Sequence, residues 1–133
     1  MELTLQDKSN YLKGLLIVAK KDNQLTEPEK QIIRDVALKL GFAKEFYEDT
    51  LKSLLVNKYI ADDPIKFSTA KVAQSFVSDG LKLTFSDFSN YDKELKWLRA
   101  TAGINNIDEG WFADKIKKYK ESSNIEFALF SII

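Results

Sequence analysis

The sequence predicts a single all-α domain, and three observations indicate that fold class. The chain has 133 residues, the length of one ordinary domain. It contains only two prolines and five glycines, and no Ser/Gly/Pro-rich linker divides it. Its apolar residues recur mostly at helical spacing rather than in strict alternation. With 44% hydrophobic and 30% charged residues, the composition is typical of a folded protein. We therefore expect one compact domain over residues 1–133, with six to seven helices.

The first helix is predicted from about Leu5 to Lys21, and Asp22 follows it in a turn. Its apolar stripe consists of Tyr11, Leu12, Leu15, Leu16 and Ala19. The second helix begins after Thr26, a potential N-cap, and Glu29 is placed to return a bond to the cap amide. Its stripe consists of Ile32, Ile33, Val36, Ala37 and Leu40. Gly41 should end this helix in the left-handed conformation.

The third helix is predicted over about Ala43 to Asn57 and the fourth over about Phe67 to Leu83. The third should bury Phe46, Tyr47, Leu51, Leu54 and Leu55. The fourth should present one apolar face made of Ala73, Phe76, Val77, Gly80 and Leu81. A polar loop over about 86–90 ends it.

The fifth helix is predicted over about Tyr91 to Asn105 and the sixth over about Asp108 to Lys120. Leu95, Leu98 and Ala102 should face inward from the fifth. Trp111, Phe112, Ile116 and Tyr119 should do so from the sixth. The apolar tail from Ile125 to Ile133 is short and ambiguous between a strand and a helix, and we expect a seventh helix that docks on the domain.

A shift of 65 residues lays the second three helices on the first, which predicts two pseudo-repeats at about residues 4–60 and 69–125. The number of matched apolar pairs is close to what composition alone would give. The prediction depends instead on residues of the same type at particular equivalent positions. Aromatic residues fall on aromatic residues, namely Tyr11 on Phe76, Phe46 on Trp111 and Tyr47 on Phe112. Gly41 falls on Asn106, the other residue type that tolerates a left-handed helix end.

The same shift superposes two acidic pairs, Asp22 with Glu29 and Asp87 with Glu94. If an approximate twofold axis relates the halves, these four carboxylates could converge and bind Ca²⁺, Mg²⁺ or a basic partner. No other cofactor is expected. The alternative is structural, with Asp22 in a turn and Glu29 in a capping box. That alternative suits the second pair less well, because Ser89 or Asn90 is the better cap there.

The composition excludes several classes of function. The chain has no cysteine and no histidine, which excludes disulfides, thiolate or imidazole zinc sites and Ser-His-Asp catalysis. Twenty basic residues balance twenty acidic ones along the whole chain, so a nucleic-acid partner is not expected. No signal-peptide pattern or 20-residue apolar run is present. We therefore expect a cytoplasmic protein without membrane insertion.

Three further groups of residues have a functional and a structural interpretation. The adjacent Asp62 and Asp63 could be a catalytic carboxylate pair, but they are better placed to cap the next helix. Three aromatic residues could stack with the bases of single-stranded nucleic acid, but we expect them to be part of the core: Tyr91, Trp97 and Trp111. Four lysines should form a solvated helix face rather than an anion site: Lys115, Lys117, Lys118 and Lys120.

Four short segments follow the pattern of a known family: Ala19-Lys20-Lys21-Asp22-Asn23, the polar turn to Glu29, Ile32-Ile33 and Leu40-Gly41-Phe42. Together they resemble the TerB-like superfamily over about residues 10–120. On that match Asp22 and Glu29 correspond to the first acidic pair of the family, and Asp87 and Glu94 to the second. The sequence departs from the pattern at Asn23, where the family has Gly, at Lys21, which replaces a small residue, and at Phe88, which follows Asp87.

The resemblance implies an all-helical, non-enzymatic domain associated with tellurite resistance, stress response and assemblies near the membrane, with an acidic patch that engages cations. We therefore expect a binding or scaffold module. A second hypothesis is an interaction or dimerisation module that uses the apolar tail to contact a protein partner or a second copy. A third, a small carboxylate-based enzyme, requires a concave pocket that holds a carboxyl of raised pKa.

Overall fold

The computed structural model describes residues 2–20, 27–56, 62–86 and 92–121, with side chains for all of these except 54–56 and 121. The described residues form six α-helices and no strand, so the predicted all-α domain is confirmed. In chain order the helices are α1 (Leu5–Lys20), α2 (Glu27–Lys39), α3 (Lys44–Val56), α4 (Ala70–Thr84), α5 (Asp92–Ile104) and α6 (Glu109–Glu121). The tail, for which we expect a seventh helix, lies outside the described residues.

The central contact of the fold is between α1 and α4. Every residue of α4 from Ser75 to Thr84 is buried, which is the pattern of a helix surrounded by others. On the other sides α2 packs on α1, α5 on α4, and α6 on both α4 and α5, while α3 contacts α2. The largest fully buried side chains are Tyr11, Phe76 and Phe112. The core is therefore centred on the contact between α1 and α4.

The helix limits repeat at the 65-residue shift. The limits of α2 and α3 become those of α5 and α6 when 65 is added, and α1 and α4 begin at equivalent residues. Their N-caps are also equivalent, since the hydroxyl of Thr4 accepts from the N–H of Asp7 at 3.0 Å and that of Thr69 from Val72 at 3.2 Å. Equivalent backbone segments thus start their helices by the same chemistry.

The C-terminal ends of α2 and α5 also match. Gly41 has φ of 90° and Asn106 has φ of 59°, which confirms the predicted left-handed residues. Phe42 donates its N–H to the carbonyl of Ala37 at 3.0 Å. Equivalently, Ile107 donates to Ala102, also at 3.0 Å. These are Schellman motifs, and they end equivalent helices of the two sets by the same backbone hydrogen bond.

A cation–π contact joins the second and third helices of each half. The guanidinium of Arg34 lies 5.8 Å from the ring centroid of Tyr47, and that of Arg99 lies 5.3 Å from the centroid of Phe112. The arginines and the rings are again 65 residues apart. We refer below to α1–α3 and α4–α6 as the first and second halves.

The predicted start of the fourth helix was wrong. Phe67 was expected inside it, but α4 begins at Ala70 because Thr69 caps it. The N–H of Phe67 instead donates to Oδ1 of Asn105 at 2.8 Å, outside any helix. Five other predicted ends differ from the structure by one residue: the start of α3, the ends of α4 and α5, and both ends of α6. Ends predicted at Lys21, Asn57 and Tyr91 fall outside the described residues.

One predicted core residue was also wrong. Phe46 is 51% exposed, although it was assigned to the buried stripe of the third helix. Among the described residues α3 makes its main contact with α2 alone, and Tyr47 and Leu51 cover that contact. A helix packed on one neighbour buries a narrow stripe, which leaves Phe46 at its edge.

Candidate functional site

The structure describes two of the four predicted cation ligands. Glu29 lies in the first turn of α2 and Glu94 in the first turn of α5, at positions 65 residues apart. Both side chains are nearly inaccessible, with 4% and 5% of their surface exposed. Asp22 and Asp87 lie outside the described residues. Negative charge in the first turn of a helix is favoured by the helix dipole, which suits both glutamates.

The predicted acidic patch is therefore not a solvent-facing surface at Glu29 and Glu94. Within the described ranges, no group of three or more Asp or Glu residues is arranged to hold a metal ion. A shared site would need Asp22 and Asp87 to complete it. Binding of a divalent cation by the four residues stays a prediction, as does the capping box of Thr26 with Glu29.

A buried polar cluster lies at the contact between α1 and α4. We call Tyr11, Ser75, Asp79 and Lys82 the Tyr11 cluster. The phenol of Tyr11 donates to Oδ2 of Asp79 at 2.5 Å and lies 3.1 Å from the hydroxyl of Ser75. Nζ of Lys82 is 3.6 Å from Oδ1 of Asp79. Tyr11 and Asp79 are both completely buried, so the cluster is closed to solvent.

The electrostatics of the Tyr11 cluster keep the phenol neutral. Burial, and then the charge and hydrogen bond of Asp79, raise the pKa of Tyr11 far above its ordinary range. Tyr11 therefore remains a hydrogen-bond donor at all physiological pH values. The ammonium of Lys82 also lies 5.5 Å from the ring centroid of Tyr119 on α6. The cluster thus links three helices by polar contacts.

The Tyr11 cluster was not predicted from the sequence. Asp79 falls three residues after Phe76 and four before Leu83, on one face of an otherwise apolar helix. A lone carboxylate on an apolar face requires a partner, and this was the available signal. The identity of that partner could not be read locally, because Tyr11 is 68 residues away.

Two side chains hold the segment 62–69, which we call the connector because it leads into α4 between the two halves. Asp7 accepts from the backbone N–H of Ser68 at 2.9 Å and from its hydroxyl at 2.5 Å. Asn105 donates to the carbonyl of Ile65 at 2.7 Å and accepts from Phe67. The connector is thereby attached to the start of α1 and to the end of α5.

The interpretation of Asp62 and Asp63 as a helix cap was wrong, because Thr69 caps α4. Both residues are exposed, and the backbone carbonyl of Asp62 accepts from Nε1 of Trp97 at 2.7 Å. Pro64 follows them in the connector, and a proline is tolerated there because the segment forms no helix.

The aromatic and basic residues of the second half take mainly structural positions. Trp97 is buried, and Trp111 is half-buried with Nζ of Lys115 5.5 Å from its ring centroid. Lys117, Lys118 and Lys120 are exposed, as expected for a solvated face of α6. Tyr91 lies outside the described residues.

Apolar side chains are exposed at the corner between α2 and α3. Leu38 is 53% exposed, and the ring of Phe46 stacks on Phe42 with centroids 5.0 Å apart. At the equivalent place in the second half, Gly103 replaces Leu38 and Lys115 lies over Trp111. The two corners thus differ in the apolar surface that they present.

Comparison of the chain with protein-family models, with curated protein sequences and with solved structures gave no significant match. The resemblance to the TerB-like superfamily stays a prediction from the sequence. None of the described helices is both long enough and apolar enough to cross a lipid bilayer.

Proposed function

We propose that this protein is a non-enzymatic, TerB-like helical module whose acidic site binds a divalent cation and thereby acts in binding or scaffolding. The observation that carries the proposal is the position of Glu29 and Glu94. They occupy equivalent first turns in the two halves, and both are withdrawn from solvent. A stress-associated role follows only from the family resemblance.

Carboxylate oxygens are the ligands that Ca²⁺ and Mg²⁺ take from proteins. Burial lowers the local dielectric, so each glutamate would interact with a divalent cation more strongly than a surface carboxylate does. Asp22 and Asp87 stand seven residues before Glu29 and Glu94, each ahead of the helix that carries its partner. The four carboxylates would therefore supply a set of hard oxygen ligands from two chain corners.

The test is the melting temperature of the full chain with and without millimolar Ca²⁺ or Mg²⁺. A cation bound only by the folded state stabilises it by about 2.7 kcal/mol when present at about 100 times its Kd. We expect the melting temperature of the wild type to rise, and that of the double variant Asp22→Asn, Asp87→Asn to stay constant. No rise in the wild type would end the proposal.

A matched control removes two charges elsewhere. Asp49 and Asp114 are exposed on α3 and α6 and are also 65 residues apart. The double variant Asp49→Asn, Asp114→Asn has the same net charge as the test variant. It should keep the full response to the cation, since its carboxylates lie outside the proposed site. A lost response in this control as well would show that the effect is a general one of net charge.

The exposed apolar corner favours a second candidate function, a protein-interaction module. Leu38 and Phe46 offer apolar surface on the described part of the chain, and the tail Ile125–Ile133 adds apolar sequence outside it. The chain truncated after Glu121 would be compared with the full chain in solution mass and in urea denaturation. If neither quantity changes, the tail has no part in such a function.

A further inference from the structure

The contact between α1 and α4 contains two related interactions that have different chemistry. Tyr11 reaches from α1 to Asp79 on α4. At the 65-residue shift, Tyr11 is equivalent to Phe76, and Asp79 is equivalent to Gly14. Phe76 reaches from α4 to Gly14 on α1, because a Cβ at Gly14 would lie 2.6 Å from Cε1 of its ring. One contact is therefore polar and the related one is apolar.

The two related rings also touch each other. The centroids of Tyr11 and Phe76 are 5.3 Å apart with an angle of 85° between the ring planes. Equivalent residues of the two halves therefore meet in the contact between α1 and α4.

Each contact requires a particular partner. The ring of Phe76 needs a residue without a side chain beneath it, and Gly14 provides that space. The phenol of Tyr11 and the carboxylate of Asp79 need each other, because both are completely buried. Lys82, which pairs with Asp79, stands where the first half has the aliphatic Ile17. The polar groups are thus distributed unequally between two otherwise similar helices.

We propose that this unequal distribution makes the contact heterotypic, so that α1 pairs with α4, and neither helix pairs with its own counterpart in a second copy. In an α1–α1 pair, Tyr11 would lie over Gly14 and its phenol would lack the carboxylate. In an α4–α4 pair, Phe76 would meet Asp79 and two carboxylates would be buried together. Both mismatches are costly, and buried polar groups are best attested as devices that select one pairing.

The competing assembly is specific to this fold. Because the helix limits of the two halves coincide, two chains could join like helices, α1 to α1 or α4 to α4. The Tyr11 cluster would suppress this without any change in the fold of a half. The pairing excluded by the device is therefore that of like helices from two copies of this chain.

The test makes the two helices alike by copying residues across the 65-residue shift. The triple variant Tyr11→Phe, Asp79→Gly, Lys82→Ile takes its new residues from Phe76, Gly14 and Ile17, and leaves no buried charge of the cluster behind. Its mass would be measured by light scattering over a range of concentrations beside the wild type. We expect the mass of the variant to rise with concentration toward twice that of the wild type, with helix content retained.

The control is Leu15→Ala, which weakens the packing of α1 without copying a residue from the other half. Leu15 is completely buried on α1, so this variant is also destabilised. It should keep the mass of the wild type at every concentration. An equal rise in the control would overturn the proposal, since oligomers would then follow from destabilisation alone.

Two results for the triple variant would also overturn it. One is the wild-type mass at all concentrations with native helix content. The other is loss of helical structure in circular dichroism, in this variant and in a companion with Asp79→Ala in place of Asp79→Gly. A cluster that only selects between pairings can be replaced by apolar groups without unfolding the protein, so unfolding would assign it to stability instead.

Discussion

Thr101 is a buried hydroxyl residue whose environment predicts a stabilising substitution. It lies on α5, completely buried, and its Oγ1 has no hydrogen-bond partner among the described residues. The equivalent residue of the first half is Val36, which is also completely buried. Thr101→Val keeps the branched shape and removes the unsatisfied group, so the free energy of unfolding should rise by about 1 kcal/mol. Urea denaturation monitored by circular dichroism measures this change.

Thr101→Ser serves as the control, because it keeps the hydroxyl and removes the methyl group. It should lower the free energy of unfolding through lost packing. A valine variant less stable than the wild type would show that the hydroxyl contributes a favourable interaction in solution.

Asp7 predicts a pH dependence of stability. Burial acts to raise the pKa of its carboxyl, but hydrogen bonds from Ser68 and Thr4 outweigh that effect and hold the pKa below its usual range. A pKa lowered by folding contributes stability that is complete above the unfolded value of about 3.9 and is lost as pH falls through the folded value. Asp7→Asn should therefore lower the free energy of unfolding by about 2 kcal/mol at neutral pH.

The measurement is urea denaturation of wild type and Asp7→Asn from pH 7 down to pH 3. The difference in the free energy of unfolding between the two proteins should narrow at acid pH, because the Asp7 carboxyl of the wild type becomes protonated. The control is Asp63→Asn, which removes an exposed carboxylate from the connector. The difference in its free energy of unfolding from that of the wild type should not narrow as the pH falls. A constant difference between wild type and Asp7→Asn would contradict the assigned role of the charge.

At the residue scale, local features were predictable from the sequence and long-range polar partners were not. The left-handed residues Gly41 and Asn106 follow from the amino acids at helix ends, a local property. The bond of Asp7 to Ser68 spans 61 residues and that of Tyr11 to Asp79 spans 68. Such pairs depend on how the helices are placed, which a single sequence does not show.

At the scale of the elements, the glycines of α1 and α5 predict opposite effects of alanine. Gly14 lies against the ring of Phe76, with no room for a Cβ. Gly14→Ala should lower the free energy of unfolding by about 1–3 kcal/mol through overpacking, even though alanine favours the helix. Gly103 has nothing within 4 Å of the same position. Gly103→Ala should therefore raise the stability by up to about 1 kcal/mol.

Both glycine variants would be compared with wild type by thermal and urea denaturation. Equal effects of the two substitutions would mean that helix propensity decides the outcome and that the contact with Phe76 is not tight in solution. Opposite signs would support the close approach of α1 and α4.

Helix periodicity predicted the existence of all six described helices and most of their ends to within one residue. It failed at Phe67 and at Phe46 for separate reasons. Phe67 is buried like a helical core residue, but Asn105 on another helix holds it in the connector. Phe46 fits the apolar spacing of α3, but the number of neighbours that a helix has is a tertiary property.

At the scale of the whole molecule, the α1–α4 contact predicts that both halves unfold together. The two tryptophans, Trp97 and Trp111, both lie in the second half, so their fluorescence reports on that half alone. Circular dichroism reports on all helices. Because the core lies between the halves, the urea midpoints from the two methods should coincide.

Midpoints that separate would indicate that the first half can unfold while the second remains folded. Leu98→Ala, within the second half, and Ile33→Ala, within the first, would then locate the boundary, since both side chains are completely buried. In a cooperative molecule either substitution should move both midpoints by the same amount.

The connector has a practical consequence for engineering the chain. Most segments between helices accept insertions, because few contacts depend on their path. Here Asp7 and Asn105 hold residues 65–68 from both sides, and Trp97 holds Asp62. New termini for circular permutation, or a fusion partner inserted within 62–69, would break these attachments at once. A permuted protein should therefore be opened away from this stretch, even though it contains no helix.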